Sequence, residues 1–205
     1  MLIRTSAGLA AAYPGAFAIS WRVKTRPAAD GDLPPLQVVA QSHPDAPIRA
    51  QNMTRFFRDL GASGRSPVEF QIRKALDDSL VYSQRNALVD YLLYQEVRSG
   101  LLIGLHDASH ISSELCYGLA EEASAPEYEH ISGKTVTLNP REPVLVDDGR
   151  IIASLRHGPD RETRITNASD DVIGVLFGSP ADSSEFAAEM VDEVERDGRT
   201  RGLWT

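Results

Sequence analysis

Cysteine occurs once in this sequence, at Cys116, which excludes an internal disulfide and any multi-cysteine zinc site. A lone thiol suits a reducing compartment, so the cytoplasm is the expected location. Long hydrophobic runs are missing as well: no stretch approaches the roughly 18 consecutive apolar residues of a membrane-crossing helix, and no membrane partner is expected. Positive charge is in deficit, with 21 Lys and Arg against 29 Asp and Glu and a formal charge of −8. This balance argues against wrapping nucleic acid in a general positive field and leaves a local basic patch as the route to such a partner. Aromatic residues make up only 7%, yet 42% of the 205 residues are hydrophobic, enough for one sizeable core. A wholly disordered, collagen-like or low-complexity chain is excluded.

Several chemical signatures are also lacking. There is no G-x-x-x-x-G-K-[ST] loop for nucleotide phosphates, no G-x-G-x-x-G dinucleotide fingerprint and no G-x-S-x-G nucleophile elbow. Cys116 has no evident local group to activate it. No cofactor is expected. The first twenty residues faintly imitate a secretory signal, but Tyr13-Pro14-Gly15 interrupts the apolar stretch, so this segment reads as the first strand instead.

What is present falls into consecutive blocks of one domain, residues 1–205: a leading strand and loop over 1–45, a helical block over 46–100, a β-rich block over 101–178 and a terminal helix over 183–196. Residues 16–23 alternate as a half-buried strand does, and the Pro, Gly and Asp of residues 25–37 predict a loop. Ile48, Met53, Phe56, Phe57 and Leu60 approximate a 3.6-residue period closed by Gly61. A second helix starts at Pro67, with Val68, Ile72, Ala75 and Leu76 on one face. A third covers 86–98, its Leu88, Val89, Leu92, Leu93 and Val97 spaced for burial and Gly100 as its stop. Beyond Gly100 come short apolar or β-branched runs over 101–105, 114–119, 135–138, 143–146, 151–155, 164–165 and 171–177. Asp148-Gly149 is a hairpin turn signal. Phe186, Met190 and Val194 give the last helix its stripe. The fold class is α+β: a mainly antiparallel or mixed sheet packed with a central helix and flanking helices.

Candidate chemistry is sparse. Arg49, Arg55, Arg58, Arg65, Arg73 and Lys74 outnumber Asp59 and Glu69 on the first two helices of the helical block, a basic island that is either a solvated face or a contact for a phosphate backbone. Among five histidines, His106, Asp107, His110 and Glu114 are the one tight cluster. On a helix, His106, His110 and Glu114 would share a face and could chelate a metal, but the segment reads as strand to loop, which removes that geometry; no metal is expected. The segment 158–166, with Asp160, Arg161, Glu162, Thr163 and Arg164, is either a salt-bridged hairpin or the charged rim of a pocket.

Taken in order, FFRDLGASGRSPVEFQIRKAL, RNALVDYLLYQEVRSGLLIGLHDASHI, VLVDDGRIIASLR and ETRITNASDDVIGVLFG resemble the editing-domain family of the phenylalanyl-tRNA synthetase beta subunit, and more closely its free-standing B-three/B-four tRNA-binding-domain members. The pieces that carry the resemblance are Asn86, Leu88, Val89 and Asp90; the turn with Gly100, Leu101, Gly104 and Asp107; Val146 to Asp148; and Thr163-Arg164-Ile165-Thr166. It covers nearly the whole chain from Phe17 onward.

The resemblance implies a sheet and central helix enclosing an amino-acid pocket, and trans-editing hydrolysis of mischarged tRNA. An aminoacyl ester is already activated, so a positioned water and donors for the oxyanion suffice, with the tRNA's vicinal hydroxyl assisting. The alternative is a module that keeps the fold and binds an amino acid or tRNA without turnover. Carried over by position, Asn86 binds polar groups of the substrate or the water, or simply caps its helix. Gly104 stands where the synthetase domain has a histidine, and His106 could compensate from the same loop as base or donor. Gly104, Asp107, Arg156, Asp160, Arg161 and Thr163 would line the substrate pocket, and Arg55, Arg58, Arg65 and Arg73 would meet the tRNA. Arg156, His157, Asp160 and Arg161 fill a segment where free-standing relatives have tryptophan and arginine. Neither oligomeric state nor the identity of the amino acid follows from the sequence.

Overall fold

The computed structural model describes residues 3–26, 32–61 and 64–205. In chain order the elements are β1 (Arg4–Thr5), α1 (Ala7–Ala12), β2 (Phe17–Lys24), α2 (Leu36–Ser42), α3 (Ala46–Asp59), α4 (Pro67–Leu76) and α5 (Ala87–Ser99). There follow β3 (Leu102–Asp107), β4 (Cys116–Leu119), β5 (Glu127–Glu129), β6 (Thr135–Thr137), β7 (Pro143–Asp147), β8 (Arg150–Ser154), β9 (Gly158–Pro159), β10 (Asp171–Gly178) and α6 (Ser184–Thr200). This is an α+β fold, as its residue pattern implies.

The strands form a five-stranded sheet in the order β1-β4-β7-β8-β9, a three-stranded sheet β2-β10-β3, and the β5-β6 pair. All ladders are antiparallel except β1 with β4. In the three-stranded sheet, β10 is the central strand, and its eight residues pair along the whole of β2. Two of its glycines are there because aromatic rings lie on them: a Cβ at Gly174 would sit 2.2 Å from the Trp21 ring, and one at Gly178 would sit 2.1 Å from Phe17. The β7-β8 hairpin turns at Asp148 and Gly149, both at positive φ (47° and 80°), the backbone a two-residue turn of primed type requires.

Helices α5 and α6 pack against this sheet, α5 on β3 and α6 on β2 and β10. The chain's last residues lock them together. Trp204 makes an edge contact with Tyr91 at 5.1 Å and donates its indole N–H to the Glu195 carbonyl, while Tyr91 donates its hydroxyl to the Val194 carbonyl. The main apolar cluster draws on all six helices and both larger sheets, and a smaller one (Ala120, Tyr128, Leu138, Val144 and Ile151) lies where β5-β6 covers β7-β8.

Several elements depart from expectation. Residues 7–12 are helical rather than part of a leading strand, because Ser6 caps them by accepting the Leu9 N–H. The loop expected over 25–37 turns helical at Leu36, and its residues 27–31 lie outside the described residues. Residues 164–165 form no strand and contribute one bridge, Arg164 to His106. The strands β5 and β9 were not expected. On α5 the buried face is not the aliphatic stripe alone. Val89 is exposed, whereas Asp90, Gln95 and Glu96 are buried, each with hydrogen-bond partners that satisfy it inside the fold.

Candidate functional site

A cleft opens where α5 begins. About 990 Å³ in volume, it is lined by Arg26, Tyr82, Arg85, Asn86 and Leu88 and by residues 166–170. The turn entering α5 is held by Asp90, whose carboxylate accepts the Ser83 and Gln84 N–H groups and the Ser83 hydroxyl, with Gln84 at φ 57°. Asp90 therefore pairs within the fold.

Asn86 is the N-cap. Its Oδ1 accepts from the Leu88 and Val89 N–H groups at 3.0 and 3.2 Å, satisfying two otherwise orphaned donors of the first turn. Its Nδ2 donates to Oδ1 of Asn167 at 3.0 Å. Both acceptor sites of Asn86 are thus in use, while one of its N–H bonds and the amide nitrogen of Asn167 have no hydrogen-bond partner among the described residues. The guanidinium groups of Arg26 and Arg85 and the carboxylates of Asp32 and Asp170 add charge of both signs to the same walls.

A second depression, of about 450 Å³, meets the first at Thr166 and carries Asp107, His110, Glu129, Arg161, Glu162 and Arg164. Arg161 is ion-paired to Glu129 at 2.7 Å, and Arg150 bridges Asp160 and Glu162 at 3.0 and 2.6 Å. The segment 158–166 is therefore both salt-bridged and a pocket rim, but its partners Glu129 and Arg150 come from β5 and β8. Asp107 is tied down by Ser109 and by the Ser169 hydroxyl, which donates to it at 2.5 Å; these donors hold its carboxyl below the ordinary value despite burial.

His106 differs most from its expected setting. It is a strand residue of β3 opposite Ile173 rather than a loop residue, and it is fully buried. Its Nδ1 lies 2.8 Å from the Thr163 hydroxyl, which donates to Asp160 at 2.5 Å. Asp160 also accepts from the Thr163 N–H and from Arg150, so it acts as an acceptor in this chain. Burial alone pulls the His106 pKa down to about 4. A ring in that state is neutral at physiological pH and sealed from solvent, which removes it as a base reaching a ligand from a loop.

The remaining candidates are dispersed. Gly104 is a partly covered β3 residue, not part of a turn. Thr163 and Asp160 are buried in the His106 chain. Arg156 is exposed beside a separate recess of about 50 Å³ near Leu155 and Glu142. Asn86 and Arg161 occupy different depressions, and His106 lines neither. Among the described residues no group of three or more His, Cys, Asp or Glu is arranged to hold a metal ion. Arg55, Arg58, Arg65 and Arg73 are all exposed on α3, α4 and the turn before α4; Arg65 is paired to Glu69 at 2.9 Å, whereas Arg58 and Arg73 make no side-chain hydrogen bond among the described residues. No described helix is long and apolar enough to cross a membrane.

The pattern of residues pointed to Asn86 but not to Asn167, Tyr82, Arg85 or Arg26. Their common location depends on β10 returning the 166–170 loop to the start of α5, a contact about eighty residues apart that no local spacing encodes.

No protein-family model and no curated protein matches this chain. Among solved structures it is similar to an N-terminal fragment of the phenylalanyl-tRNA synthetase beta subunit from Pyrococcus horikoshii, at 15% identity and a TM-score of 0.42 over 86% of this chain and 44% of that one. The chain thus spans less than half the length of that fragment.

Proposed function

We propose that this chain, acting as one domain, binds the aminoacyl end of a charged tRNA in the cleft at the start of α5 and hydrolyses the ester when the amino acid is the wrong one. The observation that carries this reading is the donor-rich mouth formed by Asn86 and Asn167 at the first turn of a 13-residue helix, in a cleft that Arg26, Arg85, Asp32 and Asp170 also line. An aminoacyl ester presents a carbonyl and a protonated amine. Amide donors suit the carbonyl and its developing oxyanion, and a carboxylate suits the ammonium. The motif order described above supports the same substrate class.

In this reading the cleft positions a water against the carbonyl carbon, and the ribose oxygen leaves with the proton; the protein contributes orientation and charge complementarity and no nucleophile. Arg55, Arg58 and Arg73 supply a local basic face for the tRNA backbone on a chain of net charge −8. Arg161, Asp107 and Arg156 line other recesses and stand outside this proposal.

The sealed position of His106 favours a second reading, a module that binds the aminoacyl end without turnover. One experiment separates them. The protein is incubated with a panel of mischarged tRNAs, and deacylation is measured beside equilibrium binding. Accelerated loss of particular amino acids supports hydrolysis; saturable binding with a flat deacylation profile supports the binding module; neither signal removes both.

A further inference from the structure

Glu142, on the turn that leads into β7, is a buried carboxylate short of partners. It is 6% exposed, and no lysine or arginine pairs with it among the described residues. Its Oε1 accepts the Ser154 hydroxyl, whose oxygen in turn accepts the N–H groups of Arg156 and His157 at 3.1 and 3.2 Å. His157 Nε2 stands 3.8 Å from the same Glu142 oxygen, too far for a hydrogen bond. Oε2 receives no hydrogen bond from a described residue, and it is not sealed from solvent. A carboxylate withdrawn from water needs a cation or several donors to offset its lost hydration, and one hydroxyl is all that lies within hydrogen-bond reach here.

Glu142 lines the recess beside Arg156. Phe57, Leu60 and Leu155 give this recess apolar walls, and Asn139 adds a second acceptor, since its Oδ1 takes the Arg141 N–H at 3.0 Å and keeps a lone pair. The volume of about 50 Å³ compares with the ~30 Å³ of one water in the liquid, so the head of a molecule enters and a whole amino acid does not. Arg156 stands at the rim, exposed and without an ion pair among the described residues, and so leaves the carboxylate uncompensated. Two acceptors among apolar carbons are too few for a divalent ion, which takes roughly six oxygens or more. They suit a group with several N–H donors, one positive charge and a carbon tail.

We propose that this recess binds a primary alkylammonium group, with its N–H donors on Glu142 and Asn139 and its first carbons against Phe57, Leu60 and Leu155. The ammonium belongs either to a free short-chain amine or to a lysine side chain. Ser154 holds the far oxygen of Glu142 and so fixes the carboxylate for its ligand. The site is separate from the α5 cleft and does not depend on the reading of that cleft.

The test uses the full chain with ¹³C-labelled glutamate and leucine methyl groups, titrated with propylammonium chloride, with sodium chloride at equal ionic strength and with propanol. Propylammonium should shift the Glu142, Leu60 and Leu155 resonances saturably, and the other two should not. An equal response to propanol or sodium chloride, or none to propylammonium, overturns the proposal. Glu142→Gln keeps the shape and the acceptor for Ser154 while removing the charge, and should weaken propylammonium binding by roughly tenfold or more; unchanged affinity overturns the site. Should that variant fail to fold, the comparison of propylammonium with propanol on the unsubstituted chain decides. Nα-acetyl-lysine methylamide separates the sources: binding tighter than that of propylammonium assigns a lysine side chain, and weaker binding assigns a free amine.

Discussion

Gly100 shows how one residue joins two parts of the fold. It ends α5 at φ 75°, in the left-handed region, and a Cβ there would lie 2.1 Å from the Ala46 carbonyl oxygen at the start of α3. Gly100→Ala therefore meets both a backbone penalty of about 1–2 kcal/mol and a collision with main chain that no rotamer can relieve. A loss of at least about 2 kcal/mol in urea unfolding is expected. Asn86 is the other residue whose role divides cleanly. Asn86→Ala removes an acceptor for two N–H groups and should destabilise by about 1 kcal/mol. Asn86→Asp keeps that acceptor while exchanging the amide N–H groups for a carboxylate. If Asn86 serves only as a cap, the aspartate variant recovers both stability and binding of aminoacyl-tRNA; if its amide meets the ligand, stability returns and binding does not. Melting and binding measured on the same samples distinguish the two.

At the scale of elements, α3 and α4 are held by a buried polar joint. Ser66 caps α4 by accepting the Glu69 N–H, its own N–H is donated to the Thr54 hydroxyl at 2.9 Å, and Thr54 in turn donates to Glu69 at 2.6 Å. Ser66→Ala should cost about 1–2 kcal/mol, read as a lowered melting temperature. Charge reversal of Arg58 and Arg73 acts on the opposite, exposed side of these helices. It should leave stability within about 0.5 kcal/mol while weakening tRNA binding and flattening its dependence on salt; unchanged binding would leave the basic face as solvated surface. These longer helices were legible because a helical period runs along ten or more residues, closed by Gly61 after α3 and opened by Pro67 in α4. The helices α1 and α2 were not, since six or seven residues give barely two turns of periodicity and depend on outside contacts for stability. β3 runs on to Asp107 because β10 offers it partners as far as Val172, information held in another strand.

For the whole molecule, two buried ionisable groups set opposing dependences on pH. Burial lowers the His106 pKa from 6.5 to about 4, so below pH 6.5 the unfolded chain binds a proton that the folded chain refuses, and stability falls with falling pH. Burial raises the Glu96 pKa from 4.5 to about 7, so between those values the folded chain holds a proton that the unfolded chain releases, and stability falls with rising pH. Between about pH 4.5 and 6.5 the two slopes offset each other. Relative to the unsubstituted protein, Glu96→Gln should make stability climb more steeply with pH across that window, and His106→Gln should make it decline. Urea midpoints from pH 4 to 8 provide the check, and parallel curves for all three proteins would refute the assignment.

The order of residues alone settled the fold class, the main helices, the Asp148-Gly149 hairpin and the exposure of the basic arginines, because each of these rests on neighbours within a few positions or on gross composition, and it left Asn86 between a helix cap and a ligand contact. Tertiary structure alone decided that His106 is sealed and linked to Asp160 through Thr163, that Asn167 comes to Asn86, and that the candidate polar residues spread over separate recesses. Burial and desolvation, which determine whether a histidine can act as a base, arise from chain segments dozens of residues apart, and no local pattern carries that distance.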